Sequence, residues 1–222
     1  MAISHHPALE SLISCSAGAM PEPFAAIMAS HIQMCPTCQR ELALMQDIGQ
    51  TLFEGLCPVA VHRPAPVLAL RGAEADVAEV QAADVAEHDA ADPASDVPAP
   101  LRAVLGDSLD KISWRWIAPG VYAHRVALPH PERGTLRLMK VAPGRAIPDH
   151  GHVGSEITLV LRGAFHDASG TYRAGDVADM AETDNHAPVA DATAGCICLI
   201  ATDGSMMFKS KLARLMKPLT GF

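Results

Sequence analysis

The 222-residue sequence has few aromatic residues, no long apolar run and no excess of positive charge. Aromatic residues make up 4% of the chain, so its cores must be built mainly from aliphatic side chains and methionine. No segment reaches the roughly 18 apolar residues of a membrane helix, and the first residues lack the basic and apolar regions of a signal peptide. With a formal net charge of −8, the chain lacks the basic surface that nucleic-acid binding requires. We expect a cytoplasmic protein that binds neither membranes nor nucleic acid directly.

An acidic segment divides the chain. Gly72–Pro98 carries eight acidic residues and no Lys or Arg, whereas the other 17 acidic residues equal the 17 basic residues in number. The segment is rich in Ala, Asp and Pro and has no aromatic residue, so it cannot bury enough apolar surface to offset the entropy of ordering. We predict a linker at residues 64–100, with a possible fourth helix at 64–86, between a domain at 1–63 and a second domain at 101–222.

The first domain shows helical periodicity. Apolar residues recur at helical spacing in a segment that ends near Gly18, in Phe24–Met34, and from Pro36 to about Phe53. Pro36 suits the first position of a helix. Three helices this short bury little apolar surface, and domains of this size usually need a staple such as a metal ion.

Histidine and cysteine side chains cluster between the second and third of these segments. His31, Cys35 and Cys38 fall within eight residues, so a histidine at a helix end and two cysteines at the next helix start can point at one ion. Structural zinc prefers four such ligands in a tetrahedron, and His5 or His6 would supply the fourth. Two alternatives are a redox-active Cys-x-x-Cys pair, which belongs in a strand–helix context, and a pair of buried core cysteines.

The second domain has the pattern of a β-protein. Apolar and polar residues alternate at 121–128, 135–141, 156–162 and 196–202, and turn-forming Gly and Pro residues punctuate the sequence between them. Short strands at regular spacing predict a sandwich or closed barrel.

A second candidate metal site lies in this domain. Gly144, His150, His152, Glu156 and Gly163 match the first cupin motif, G-x5-H-x-H-x3-E-x6-G, at every specified position. The three candidate ligands are separated by even numbers of residues, so on extended backbone they can face the same side, into the barrel. The alternative is a barrel that has lost its metal and keeps these side chains as polar lining.

The second cupin motif is only partly kept. Gly175 and His186 have the expected separation, but Ala181, Thr183 and Ala190 replace its proline, second glycine and asparagine. We predict His186 as the fourth ligand. Such a ligand set holds zinc or another divalent transition metal without selecting among them.

Cys196 and Cys198 lie on a predicted strand with their side chains on one face. They are interpreted as core residues, because free cysteine is among the most buried residue types. A redox-sensitive pair close to the barrel site is the alternative.

Together, these motifs resemble the ChrR-type anti-sigma factors along nearly the whole chain, except in the linker. The resemblance implies a small all-α helical zinc domain followed by an all-β cupin (jelly-roll-like) barrel. It implies that the helices clamp an extracytoplasmic-function sigma factor and that the barrel is required for release in response to singlet oxygen or related species. It also favours zinc in the barrel. The zinc ligands that it implies in the first domain are His6, His31, Cys35 and Cys38.

The alternative function is a metal-dependent cupin enzyme, such as a dioxygenase, with an accessory zinc domain. The complete first motif permits this chemistry. The sequence offers no identifiable second acid or base and no substrate-binding motif, so a regulator that is not an enzyme is preferred.

Overall fold

The structure is a computed structural model that describes residues 3–57, 95–129, 133–180, 185–204 and 206–208, with only the backbone at 152 and 206–208. The predicted fourth helix at 64–86 and residues 64–94 of the predicted linker lie outside these ranges. Among the described residues, no helix combines the length and apolar character needed to cross a membrane.

The N-terminal region is helical, and its helices occupy the segments that periodicity predicts. The helices are α1 (Leu9–Ser16), α2 (Glu22–Met34) and α3 (Pro36–Glu54). Cys35 both ends α2 and caps the start of α3, where its sulfur accepts a hydrogen bond from the backbone N–H of Cys38 at 3.5 Å. A proline at the first position of α3 costs nothing, because a residue there has no helical N–H partner.

The second half of the chain forms antiparallel β-structure, as alternation predicts. A short helix, α4 (Ala99–Leu105), precedes it. The strands are β1 (Arg115–Ala118), β2 (Val121–Val126), β3 (Thr135–Val141), β4 (His150–His152), β5 (Glu156–Asp167), β6 (Gly170–Arg173), β7 (Val177–Met180), β8 (Asn185–His186), β9 (Val189–Ala190), β10 (Cys196–Thr202) and β11 (Met206–Phe208).

The strands form two sheets, and β5 is central to the larger one. This sheet has the order β1-β2-β3-β10-β5-β6, and β7 and β9 also pair with β5. The smaller sheet has the order β11-β4-β8 and places His150 directly opposite His186. At Gly163, φ is +75°, and a Cβ atom there would collide with the carbonyl oxygen of Gly195. Only glycine therefore fits this point of β5.

The two faces of the large sheet belong to different cores. On β10, alternate residues face the helices (Ile197, Leu199, Ala201) or the barrel interior (Cys196, Cys198, Ile200). Phe24 and Ile27 of α2 are buried in the first of these cores. The helical region is therefore not isolated from the barrel: α2 packs directly against the sheet, and the division into two domains stays a prediction.

The ordered second half begins before the predicted boundary at residue 101. Val97 and Leu101 are each 1% exposed and lie in the same core as α2. Asp96 and Asp110 both form ion pairs with Arg162 of β5. Residues 95–100, predicted as the end of the linker, thus pack between the helices and the barrel.

Candidate metal centres

The first candidate centre brings together the four zinc ligands that the family resemblance implies in the N-terminal region: His6, His31, Cys35 and Cys38. Each residue offers one ligand atom, and these four atoms all lie within 4.8 Å of one another. The His6 Nδ1 atom is 3.4 Å from each of the Cys35 and Cys38 sulfurs, and the His31 Nε2 atom is 3.3 Å from the Cys38 sulfur. His31, Cys35 and Cys38 are almost fully buried.

These distances fit a tetrahedral zinc ion. With Zn–S near 2.3 Å and Zn–N near 2.0–2.1 Å, neighbouring N and S ligand atoms stand roughly 3.5 Å apart around a tetrahedron. Burial and the adjacent Cys35 thiol raise the pKa of Cys38 to about 12. The Cys38 thiol therefore resists ionisation by itself, whereas zinc binds cysteine as thiolate and would offset that cost. The donor set suits zinc rather than magnesium or calcium.

Backbone contacts orient His31 toward this centre. Its Nδ1 atom lies 2.8 Å from the carbonyl oxygen of Gly175, in the turn between β6 and β7, which leaves Nε2 to face the sulfurs. Burial lowers the pKa of His31, which favours the neutral imidazole that a metal ligand must be. A residue of the helical region is thereby held by the barrel.

His5, the alternative fourth ligand, lies elsewhere. Its ring packs on Tyr172 with centroids 4.3 Å apart, and its Nδ1 atom is 3.5 Å from Asp176. His5 thus contacts the barrel, while His6 joins the cysteines.

The second candidate centre lies inside the barrel and brings together His150, Glu156 and His186. The Nε2 atoms of the two histidines are 3.0 Å apart, and His186 Nε2 is 3.9 Å from Glu156 Oε1. Two nitrogens bound to one ion at about 2.1 Å stand roughly 2.9–3.4 Å apart. His152, the other predicted ligand, lies on β4, but its side chain is outside the described structure.

Neighbouring oxygens fix the orientation of both barrel histidines. The Nδ1 atom of His150 lies 2.8 Å from the Pro148 carbonyl oxygen, and that of His186 lies 3.2 Å from the Asp167 carboxylate. A metal-bound histidine usually donates its other ring N–H to such a partner. The pattern favours Nε2 as the ligand atom of each and fits a metal ion at this position.

The Glu156 carboxylate is fully buried beside these histidines. Burial raises its pKa to about 7, and the Thr158 hydroxyl, which donates to Oε1 at 3.3 Å, opposes the shift. A bound cation would favour the ionised form. The same residues border a small, otherwise mostly apolar cavity of about 40 Å³.

The position of Cys196 and Cys198 fits both interpretations offered by the sequence, and redox sensitivity stays a prediction. They are buried in the interior core, and both also line the cavity beside His150 and Glu156.

Sequence analysis missed the residues that support the two centres. Asp167 lies eleven residues beyond Glu156, outside any motif, and Asp176 binds a segment more than 170 residues away. The sequence signal at this turn was Gly175, whose φ of +94° marks a backbone shape that favours glycine.

Comparisons with known proteins match both halves of the chain. A sequence profile described as a ChrR cupin-like domain matches residues 105–205. The chain is 36% identical to the anti-sigma-E factor ChrR of Cereibacter sphaeroides over 222 residues, which cover 98% of each sequence. The crystal structure of Rhodobacter sphaeroides SigE in complex with the anti-sigma ChrR contains a chain that matches with a TM-score of 0.72 and 33% identity. This match covers 90% of the present chain and 99% of the other.

Proposed function

The chain belongs to the ChrR family of anti-sigma factors, and on this premise we propose that it is a zinc-dependent anti-sigma factor. It sequesters an extracytoplasmic-function sigma factor in the cytoplasm and thereby keeps it from core RNA polymerase. It releases this partner in response to singlet oxygen or related reactive species, and the cupin domain is needed for the release.

The observation that carries this proposal is an apolar stripe on α3. Leu44, Ile48 and Leu52 lie four residues apart on one helical face and are 57%, 54% and 69% exposed. Single exposed leucines are common, but a row of them along one helix marks an interaction surface. On α1, Leu9 and Ile13 are also more than half exposed. Helix packing within the chain thus leaves apolar surface for a partner to cover.

The position of the first candidate metal centre supports a role in setting the geometry of this surface. His6 precedes α1, His31 lies in the last turn of α2, and Cys35 and Cys38 begin α3. An ion shared by these residues fixes the angles between three short helices. Because binding to such a site contributes folding free energy, the direction of the α3 stripe depends on the ion.

The contact between the helical centre and the barrel supports a role for the cupin domain in release. His31 bonds the Gly175 carbonyl, and β7, which begins two residues later, pairs with β5 at Glu156. A change at the barrel centre therefore has a short bonded route to a ligand of the helical centre.

Sigma binding is tested with the purified full-length chain in a transcription assay. We expect the chain to inhibit transcription by core RNA polymerase with an extracytoplasmic-function sigma factor of the same organism. Ile48→Asp should raise the inhibitory concentration at least 100-fold, because it places a charge in the apolar stripe. Gln46→Asp, on the opposite exposed face of α3, is the matched control and should change it less than threefold. Equal inhibition by wild type and Ile48→Asp would refute the proposed surface.

Release is tested with two barrel variants, His150→Ala and Glu156→Ala. Each should inhibit as strongly as the wild type in the dark, yet fail to release the sigma factor when a photosensitiser generates singlet oxygen. Cys35→Ser or Cys38→Ser should instead abolish inhibition. Normal release by both barrel variants would show that the barrel centre is not needed.

The cavity gives a second candidate, a metal-dependent cupin enzyme of the dioxygenase type. An apolar cavity beside the candidate ligands His150, Glu156 and His186 is the arrangement expected of a substrate pocket. Bound iron together with oxygen consumption on addition of an organic substrate would favour it. Zinc without turnover would favour the regulator.

A further inference from the structure

A methionine side chain lies in the wall of the barrel cavity, beside the candidate metal centre. Met139 of β3 is 5% exposed and lines the cavity together with His150 and Glu156. Its partner in the register of β10 is Cys198, which lines the same cavity. Residues directly opposite each other on paired antiparallel strands have their side chains on the same face, with Cβ atoms about 4.5–5.5 Å apart. Cys196 also lines this wall, so three sulfur-bearing side chains border one small space.

The size of the cavity limits which molecules can reach this wall. Its volume is about 40 Å³, and a water molecule needs about 10–15 Å³ measured in the same way. Dioxygen or hydrogen peroxide therefore fits inside, whereas a bulkier molecule fits only if the walls move. Ile147 and Pro188 line the cavity and are partly exposed, so the cavity approaches the surface on their side. Small reactive oxygen species therefore have access to Met139 from that side.

The thioether of Met139 is a better target for such species than the thiol opposite it. Cysteine reacts as the thiolate, and the hydrogen bond with Cys196 and burial raise the pKa of Cys198 well above its ordinary value. Methionine reacts through a sulfur lone pair without losing a proton, and its sulfoxide is a common product of oxidation. At neutral pH the sulfur of Met139 should therefore react before that of Cys198.

Oxidation at this position would alter the sheet on which the helices pack. A sulfoxide places a polar oxygen in an apolar wall, and burying a polar group there without a partner costs free energy. Leu138 precedes Met139 on β3 and faces the opposite side of the sheet. There it shares a core with Phe24 and Ile27 of α2. A displacement of β3 would therefore disturb the packing of α2, which carries the candidate zinc ligand His31.

We propose that Met139 is an oxidation site: a small reactive oxygen species that enters the barrel cavity converts its thioether to the sulfoxide, which weakens the packing of α2 on the sheet. With hydrogen peroxide, the O–O bond breaks, one oxygen forms a new bond to sulfur, and the other leaves as water with both hydrogens. With singlet oxygen and one water molecule, the products are the sulfoxide and hydrogen peroxide. In both reactions the sulfur loses two electrons and the oxidant gains them. The inference rests on the proposed function, because it names the group through which an oxidant acts on the barrel.

Peptide mass spectrometry of the full-length, zinc-loaded protein after treatment with hydrogen peroxide tests the site. Met139 should gain oxygen at least about tenfold faster than Met180 and Met28, which are 7% and 0% exposed and do not line the cavity. In the urea-unfolded chain the three should be oxidised at rates within about twofold of one another. tert-Butyl hydroperoxide is too bulky for the cavity, so oxidation of Met139 relative to Met34, which is 36% exposed, should fall at least about tenfold with this peroxide.

The effect on the helices is tested by comparing release of the sigma factor from Met139→Leu and Met180→Leu. Leucine keeps the approximate volume of the side chain and removes the sulfur, a change that cores tolerate well. Both variants should inhibit transcription as strongly as the wild type in the dark. When a photosensitiser generates singlet oxygen, Met139→Leu should release the sigma factor at least about fivefold more slowly than the wild type, whereas Met180→Leu should match the wild type.

The possible failures are distinguishable. Oxidation of Met139 no faster than that of Met180, or no preference for hydrogen peroxide over the bulkier peroxide, would overturn the site. Equal release from Met139→Leu and the wild type would overturn the effect on α2 and leave the proposed function standing. A wild type that releases nothing under singlet oxygen would contradict the proposed function, while the mass-spectrometric comparison would still decide whether Met139 is the oxidation site. Because that comparison uses the wild type, the site is tested even if Met139→Leu fails to fold.

Discussion

The two candidate metal centres are built in opposite ways. In the helical centre, two imidazoles and two thiols from the N-terminal helical region point at one position, and three of these residues are buried. In the barrel centre, the described side chains are two imidazoles and a carboxylate, which project from strands into a small cavity of about 40 Å³. Four protein ligands with no open position are typical of structural zinc, and a site that borders a cavity leaves room for another ligand.

This difference indicates different tasks for the two centres. The helices depend on their ion, because α1 and α3 keep much of their apolar surface exposed rather than in a core. The barrel has a core that does not need an ion, since Leu138, Leu159 and Leu199 are fully buried on the face away from the cavity. Loss of the helical ion should therefore remove structure, whereas loss of the barrel ion should remove a response.

Cys38→Ser gives the largest effect expected from this comparison. Serine is a poor zinc ligand, so zinc affinity of the helical centre should fall well beyond the roughly 10–100-fold typical of outer-shell changes. Elemental analysis should show one equivalent less zinc per chain, and hydrogen exchange should accelerate across residues 3–57. Cys57→Ser is the matched control, because Cys57 is exposed and outside the cluster. If Glu156→Ala accelerated exchange in the helices as much as Cys38→Ser does, the contrast between the centres would be wrong.

Asp167→Asn should produce an intermediate effect that is confined to the barrel. Its carboxylate holds the ring of His186, and loss of such a partner typically weakens metal binding about 10–100-fold. Competition with a chromophoric chelator measures this change, with the zinc of the helical centre as the internal reference. Asp179→Asn, which alters a carboxylate that bonds the start of α1, should leave barrel affinity unchanged. An unaltered barrel affinity in Asp167→Asn would mean that the bond to His186 does not position a ligand.

The elements predictable from sequence are those fixed by local pattern. Alternation predicts β3 and β10, and the cupin motif predicts that His150 and Glu156 come together, as they do although β4 and β5 belong to different sheets. Helical periodicity predicts α3, but the pattern does not distinguish a face that packs within the chain from one left for a partner. Leu44 and Ile48 fit the apolar pattern and are exposed.

The remaining features depend on contacts between distant parts of the chain. Asp167 reaches His186 because β5 continues past Gly163 to pair with β6 and β9. The docking of α2 on the sheet depends on residues such as Phe24 and Ile27, whose periodicity indicates a helix without naming its partner. Val97 could likewise not be recognised as a core residue, because an isolated valine in an acidic segment shows no periodicity.

Asp176→Asn tests the connection between the two halves and should have the smallest effect of the three. The Asp176 carboxylate accepts hydrogen bonds from the backbone N–H groups of Ser4 at 2.7 Å, His5 at 3.0 Å and Arg173 at 2.8 Å. An asparagine keeps one acceptor oxygen, so the loss should be about 1–3 kcal/mol in the free energy of unfolding. Urea denaturation measures this loss, and faster amide exchange at Ser4 and His5 should accompany it. Asp191→Asn is the matched control, because Asp191 accepts two backbone N–H bonds within a barrel turn.

The pH dependence of this effect follows from the pKa of Asp176. Burial alone would raise the pKa, but the N–H groups of Arg173, Ser4 and His5 outweigh burial and hold it below the ordinary value. The stabilisation is therefore complete above the pKa of an unfolded aspartate and disappears as pH falls through the lowered native value. The difference between wild type and Asp176→Asn should shrink across that interval. A loss at neutral pH with no change in Ser4 and His5 exchange would show that Asp176 stabilises only its own turn, and that other contacts, such as α2 packing and the His31 bond, join the helices to the barrel.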